Sequence, residues 1–204
     1  MKISEYVELI DGTLANSYAV FANDKTFLID AGTKGSGKKI ISYFQKIGKK
    51  PDVVLITHYH PDHIGGLSLI YENFKPMVYV PDSELQVVKG QAKIIPAKSI
   101  ISHIIARFSK INPVQEAEPL SKFLHKDFTI LPTAGHTPQS TSYIFNLDRV
   151  IFIGDAFSIK KDGSYVINRT FTLNMEEAKK SMESILAYRG YIVAPGHGST
   201  FVIK

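Results

Sequence analysis

Cysteine is absent from the 204 residues. Neither a disulfide nor a thiolate metal site is therefore available, and any metal must be held by His, Asp or Glu, donors that suit zinc, iron or manganese. No apolar run approaches the roughly 18 residues of a membrane span, and the opening MKISEYVELIDG has no apolar core of a secretory leader. The expectation is a soluble, cytoplasmic protein with no membrane partner. Low-complexity tracts, short repeats and evident linkers are also missing. Hydrophobic residues at 44% and charged ones at 21% are ordinary globular values. This length fits one domain able to bury most of its apolar surface. Net charge is +5 and the pI about 9.2, but the lysines fall in short scattered groups at 38–40, 48–50 and 160–163. Scattered cations mark a solvated surface, so no nucleic-acid partner is expected.

What is present alternates between strand and helix patterns. EYVELI, NSYAVFA and TFLIDAG read as strands joined at Asp-Gly and Asn-Asp turns. A helix follows, with Ile40, Ile41, Phe44 and Ile47 on one face and Gly48 as its stop. DVVLITH is a short continuous apolar strand of the kind buried on both faces, and it ends at His58. GGLSLIYENF reads as a helix and MVYVP as a strand. Residues 82–126 hold two more helical patterns, SELQVVKG and AKSIISHIIARFSK, separated by Pro96 and followed by Pro113 and Pro119. FTILPTAG, TSYIFNL and RVIFIGDA return to strands. NMEEAKKSMESILAY is a helix capped by Asn174, with Met175, Ala178, Met182, Ile185 and Leu186 on one face. YIVAPGHGST closes as a strand running into a loop. The strand–helix–strand rhythm occurs before His58 and again before His197, so two similar halves in one domain, 1–204, are expected, with a helical insertion or cap at 82–126.

Seven histidines occur in the chain, and three of them, with an aspartate, crowd into THYHPDH. His58, His60, Asp62 and His63 thus leave the C-terminal end of a buried strand, where α/β sheets place their sites. Imidazole is costly to bury without partners, so packing explains the cluster poorly. Alternating side chains in such a turn can converge on one point while the adjacent residue swings to a second. Zinc usually takes four ligands, with one position left to water in catalytic sites. Four candidates in one turn therefore suit two metals better than one. His136 in TAGHTP, Asp155 in FIGDA and His197 in APGHGS each follow a strand and sit beside Gly or Pro. One such residue is unremarkable, but the whole set is hard to assign to strand termination. His103, in an apolar helical stretch, and His125, beside Lys126, lack a ligand context.

This ordered set resembles that of the metallo-β-lactamase superfamily: H-x-H-x-D-H, then a distant His, Asp and His. LIDAG at 28–32 and Gly65-Gly66 stand where the family has them, and the resemblance spans nearly the whole chain. It implies an αββα sandwich, two mixed sheets with helices on the outer faces. It also implies a two-metal site, zinc being the expected ion and iron or manganese the alternatives. His58, His60 and His136 would hold the first metal, Asp62, His63 and His197 the second, with Asp155 bridging. A bridging hydroxide would attack the substrate carbonyl, Asp62 would orient it as the catalytic carboxylate, and Asp30 would stiffen the site by hydrogen bonding. Thr137 and Ser140 are candidates for supporting hydrogen bonds, and Tyr59 and Pro61 for conformational roles.

The resemblance fixes the metal chemistry better than the substrate. THYHPDHIGG reproduces the run of glyoxalase II-like enzymes. Their C-terminal glutathione-gripping domain is not expected, since seven residues follow His197, and TPQS stands where many relatives have TPGH. A hydrolase acting on a small ester, thioester or lactone is the leading expectation. The rivals are a mononuclear iron persulfide dioxygenase, a metal-dependent nuclease and a non-catalytic binding module. A small-molecule substrate is the expected partner, and a homodimer stays open. Residues 97–110 carry Ile100, Ile101, Ile104, Ile105 and Phe108 at helical spacing. They are expected either to cap the metal site or to pack on the domain or on a second subunit.

Overall fold

The computed structural model describes all residues, Met1–Lys204. The chain forms two compact units, one of residues 1–92 with 110–123, the other of 93–109 with 124–204. The first carries a six-stranded sheet in the order β1 (Val7–Leu9), β2 (Tyr18–Phe21), β3 (Thr26–Ile29), β4 (Val53–Leu55), β5 (Met77–Val80) and β6 (Glu118–Pro119). β1 to β3 run antiparallel, joined through residues 10–17 and 22–25, and β3 to β6 run parallel. Parallel neighbours need crossovers. α1 (Lys34–Lys46) returns the chain from β3 to β4, and α2 (Pro61–Ile64) with α3 (Leu67–Phe74) return it from β4 to β5. A short 3-10 turn at Asp82–Glu84 then leads into α4 (Leu85–Val88).

Thr33 caps α1, its hydroxyl accepting from the Ser36 amide at 3.1 Å, and Gly48 ends the helix in the left-handed region at φ 65°. Ile40 and Phe44 are fully buried, each stabilising the unit by about 1.5–3 kcal/mol. The Phe44 ring meets Phe74 of α3 edge-on at 6.1 Å. Gly37 and Gly66 let the two helical segments touch: a Cβ on Gly66 would lie 2.7 Å from the Gly37 Cα and 2.3 Å from the Ala31 carbonyl oxygen. Ile47, expected on the apolar face, is exposed, and Ile41 is half-buried. The buried face of α1 is turned toward its small residues, Ser36 and Gly37.

The second unit holds α5 (Ile100–Phe108), α6 (Met175–Leu186) and a five-stranded sheet. That sheet runs β13 (Phe201–Val202), β12 (Ile192–Pro195), β9 (Val150–Gly154), β8 (Thr141–Phe145), β7 (Phe128–Pro132). Only the β9–β12 pairing is parallel, and α6 makes that crossover. Asn174 caps α6 as expected, its side chain accepting from the Glu176 and Glu177 amides at 3.1 and 3.2 Å. The core is built from Ile151, Ile153, Ala178, Ile185 and Val193, with Met175, Met182 and Leu186 at its margin. A small hairpin, β10 (Ser158–Ile159) and β11 (Tyr165–Val166), encloses the basic group at 160–163. Its turn is fixed by Gly163 at φ 83° and by the Asp162 carboxylate, which accepts from the Ser164 amide and hydroxyl. Two mixed sheets, each with its own helices, are the layers expected of the αββα class.

Candidate metal centre

In the first unit every expected ligand leaves the C-terminal end of β4. The three residues of that strand are buried between parallel neighbours, so its end is a rigid platform. Thr57 comes next and is clamped by Asp30, whose carboxylate accepts from the Thr57 amide and hydroxyl, both at 2.8 Å. Asp30 itself stands at φ 59°, a left-handed conformation that Asp tolerates better than most side chains. Its Oδ2 also lies 2.7 Å from His63 Nδ1. A carboxylate accepts only, so the proton of His63 sits on Nδ1 and Nε2 points toward Asp62, whose Oδ2 is 4.0 Å away.

His58 is oriented by the same network. Its Nδ1 is 3.0 Å from the Thr57 hydroxyl. That hydroxyl has already given its one proton to Asp30, so it accepts from His58 Nδ1–H. The lone pair of His58 Nε2 then faces His60 Nδ1 at 3.1 Å. Between the two histidines, the Tyr59 amide donates to Glu84 Oε2 at 2.7 Å. Glu84 is a fully buried carboxylate that no sequence spacing connects with the motif. The pairing of β4 with β5 brings it beneath the turn. Pro61 opens α2, a position where its missing N–H costs nothing. The His60 carbonyl accepts from the amides of His63 and Ile64.

The second unit gathers the other three. His136 follows β7 in a loop held by Ser140, whose Oγ accepts from the Thr137 amide at 2.9 Å and lies 2.6 Å from the Thr137 hydroxyl. Gly135 must be glycine: at φ 125° its Cβ would lie 2.3 Å from the Ala178 nitrogen at the start of α6. Thr172 donates its hydroxyl proton to the Asn168 carbonyl at 2.7 Å and therefore accepts from His136 Nδ1 at 3.2 Å. His136 Nε2, left with a lone pair, lies 3.5 Å from Asp155 Oδ2, and His197 Nε2 lies 3.5 Å from that same oxygen. Asp155 ends β9 and His197 follows β12, the strand paired parallel to it. Beside them is a cleft lined also by Phe157, Val166 and Asn168, to which α5 contributes no side chain.

These donors fit a metal. Two ligand atoms held roughly 2.0–2.1 Å from a tetrahedral zinc lie roughly 3.3–3.4 Å apart, and the close pairs here are 3.1 and 3.5 Å apart. Three of the imidazoles also have their second nitrogen protonated onto a fixed oxygen, the arrangement that orients histidine ligands. All seven residues belong to His/Asp groups able to hold a metal ion. His103, exposed on α5, does not. His125, which accepts from the Asp127 amide at 3.3 Å, belongs to a separate such group. Sequence reasoning missed Glu84 and Thr172, which ligate nothing but brace ligand-bearing segments.

Residues 10–197 match the family described as the metallo-beta-lactamase superfamily. A probable metallo-hydrolase of Streptococcus pyogenes is 30% identical across 100% of this chain and 86% of its own length. Two partial relatives carry named activities. An exodeoxyribonuclease of Streptococcus pneumoniae is 33% identical over 49% of this chain and 38% of its own. A hydroxyacylglutathione hydrolase of Nitrobacter hamburgensis is 30% identical over 68% and 46%. Among solved structures, a protein in a di-iron-bound form superposes with a TM-score of 0.75 at 22% identity, covering 97% of this chain and 94% of that one.

Proposed function

The chain belongs to the metallo-beta-lactamase superfamily and is a hydrolase of that fold, and from that premise we propose that it cleaves a small ester, thioester or lactone at a dinuclear, zinc-loaded centre. His58, His60 and His136 would hold one ion, Asp62, His63 and His197 the other, and Asp155 would be shared between them. The observation that carries it is the donor geometry. Protonated second nitrogens aim the lone pair of His58 at His60, 3.1 Å away, and that of His136 at Asp155, 3.5 Å away, each a separation a single cation can span.

Metals bound there would supply a Lewis acid for the scissile carbonyl and lower the pKa of attacking water. The residues supply the rest. Asp62, about one-third exposed, accepts a hydrogen bond from that water and sets its direction of approach. Asp30, Glu84 and Thr172 hold the ligand-bearing segments still, so that little reorganisation accompanies reaction. The partial likeness to an exodeoxyribonuclease favours phosphodiesters as the second substrate class.

The test is a panel of thioesters, lactones, β-lactams and phosphodiesters, run with metal-loaded protein and with Asp62→Asn and His60→Ala. Turnover of a carbonyl substrate that both variants abolish, with the fold intact by circular dichroism, supports the proposal. Turnover confined to phosphodiesters assigns the site to nuclease chemistry. Hydrolysis unchanged in both variants overturns the mechanism.

A further inference from the structure

α5 faces the wrong way for a packing helix. Ser102 is buried and Ala106 half-buried, while Ile100 (79% exposed), Ile101 (56%), Ile104 (51%), Ile105 (40%) and Phe108 (72%) point outward. At 3.6 residues per turn these five side chains cover an arc of roughly 140°. The small residues face the protein and the large apolar ones face solvent, the reverse of a surface helix. Ile95, just upstream, is also 51% exposed.

The helix is nonetheless anchored. Ser99 caps it, accepting from the Ser102 amide at 3.1 Å and donating to the Thr170 carbonyl at 2.7 Å. Ser102 donates to the Ala97 carbonyl at 2.7 Å. Thr170 lies two residues before the threonine that orients His136. A fixed, contiguous apolar face of this kind marks an interaction surface.

Charge identifies what fits it. Within 93–109 the exposed charged residues are Lys93, Lys98 and Arg107, with no acid among them. In sequence the acid-free run extends from 85 to 115. A two-fold contact between copies through this face would set Lys98 and Arg107 against their own counterparts, with no carboxylate in the segment to pair them. An anionic lipid surface matches both features: apolar side chains sink into the headgroup–acyl boundary and cations meet the phosphates. We infer that α5 is a docking helix that lays its Ile/Phe face on an anionic membrane surface.

The sequence-based expectation of no membrane partner rested on the lack of a spanning segment. No helix is long and apolar enough to cross a bilayer, but a nine-residue helix lying in the interface needs no such length. The inference does not depend on the substrate proposed above.

Co-sedimentation of the full chain with phosphatidylcholine vesicles, and with vesicles containing phosphatidylglycerol, tests it. The protein should pellet with the anionic vesicles and be released by salt. Ile104→Glu with Phe108→Glu should abolish pelleting, and Lys98→Gln with Arg107→Gln should weaken it roughly thirty-fold, about five-fold per cation near the surface. All four positions are exposed, so thermal melts should be unchanged. Failure of the unaltered protein to pellet, or equal pelleting by the variants, overturns the inference. So does a dimer in analytical ultracentrifugation that the Ile104/Phe108 variant converts to monomer, since the face then belongs to a second copy.

Discussion

Asp30→Asn replaces one carboxylate oxygen by an amide nitrogen and removes no volume, yet the network around it predicts a large effect. Asp30 accepts three contacts with its two oxygens: the Thr57 amide on Oδ1, and the Thr57 hydroxyl and His63 Nδ1 on Oδ2. Asparagine has one acceptor oxygen and one donor nitrogen. With the nitrogen toward His63, two donors collide unless His63 moves its proton to Nε2, the atom that would bind metal. With the nitrogen toward Thr57, it collides with a backbone N–H that cannot change. Either orientation damages the site, and Asn tolerates the φ of 59°, so backbone strain is not the cause. Losing charge-assisted bonds in this buried position costs about 1.5–3 kcal/mol of stability. Metal affinity should fall about 10–100-fold, the usual cost of removing a ligand's orienting partner, or about 1.4–2.7 kcal/mol. Chelator competition reads the affinity, and urea melts of metal-free protein read the stability. A folded Asp30→Asn protein that binds metal as tightly as the unaltered chain refutes the tautomer argument.

Three further outcomes follow from neighbouring contacts. Glu84→Leu should leave the Tyr59 amide buried without its acceptor, at about 1–3 kcal/mol, whereas Glu84→Gln keeps an acceptor oxygen and should restore most stability in the same melts. Thr172→Val removes the acceptor of His136 Nδ1 and should weaken metal binding about tenfold or more by chelator competition, with little change in the melt of metal-free protein. Burial raises the Tyr18 phenol above its ordinary range, and burial together with the facing Glu8 carboxylate raises that of Tyr43. Raised acids keep their stabilising effect below the unfolded value near pH 10 and lose it as pH climbs through the folded ones. An ultraviolet titration should therefore show two of the ten tyrosines ionising late, together with alkaline unfolding. Ionisation of all ten in one step near pH 10 contradicts this.

The candidate ligand residues were legible because each stands where a strand pattern stops at a turn, a feature that apolar runs, Gly and Pro record locally. The faces of helices were less so. Periodicity found the apolar stripes of α1 and α5 but not their orientation. In α1 the close approach of Gly37 to Gly66 draws the small residues inward and leaves Ile47 out. In α5 Ser102 and Ala106 take the inner side. The stripe of α6 did pack as its spacing suggested, with Ala178 and Ile185 buried, and the close approach of Gly135 falls on Ala178 within that same face. Two-residue strands such as β10, β11 and β13 are too short to show a period. Glu84 and Thr172 matter through partners 25 and 36 residues away, separations that only the fold closes.

The central claim is that one chain uses two metals for hydrolysis, and titrating metal into chelator-stripped protein while following turnover of the best panel substrate tests it most directly. The account predicts activity rising with the second equivalent, and elemental analysis giving two ions per chain. Saturation at one iron per chain, with oxygen consumed and no substrate hydrolysed, would contradict it.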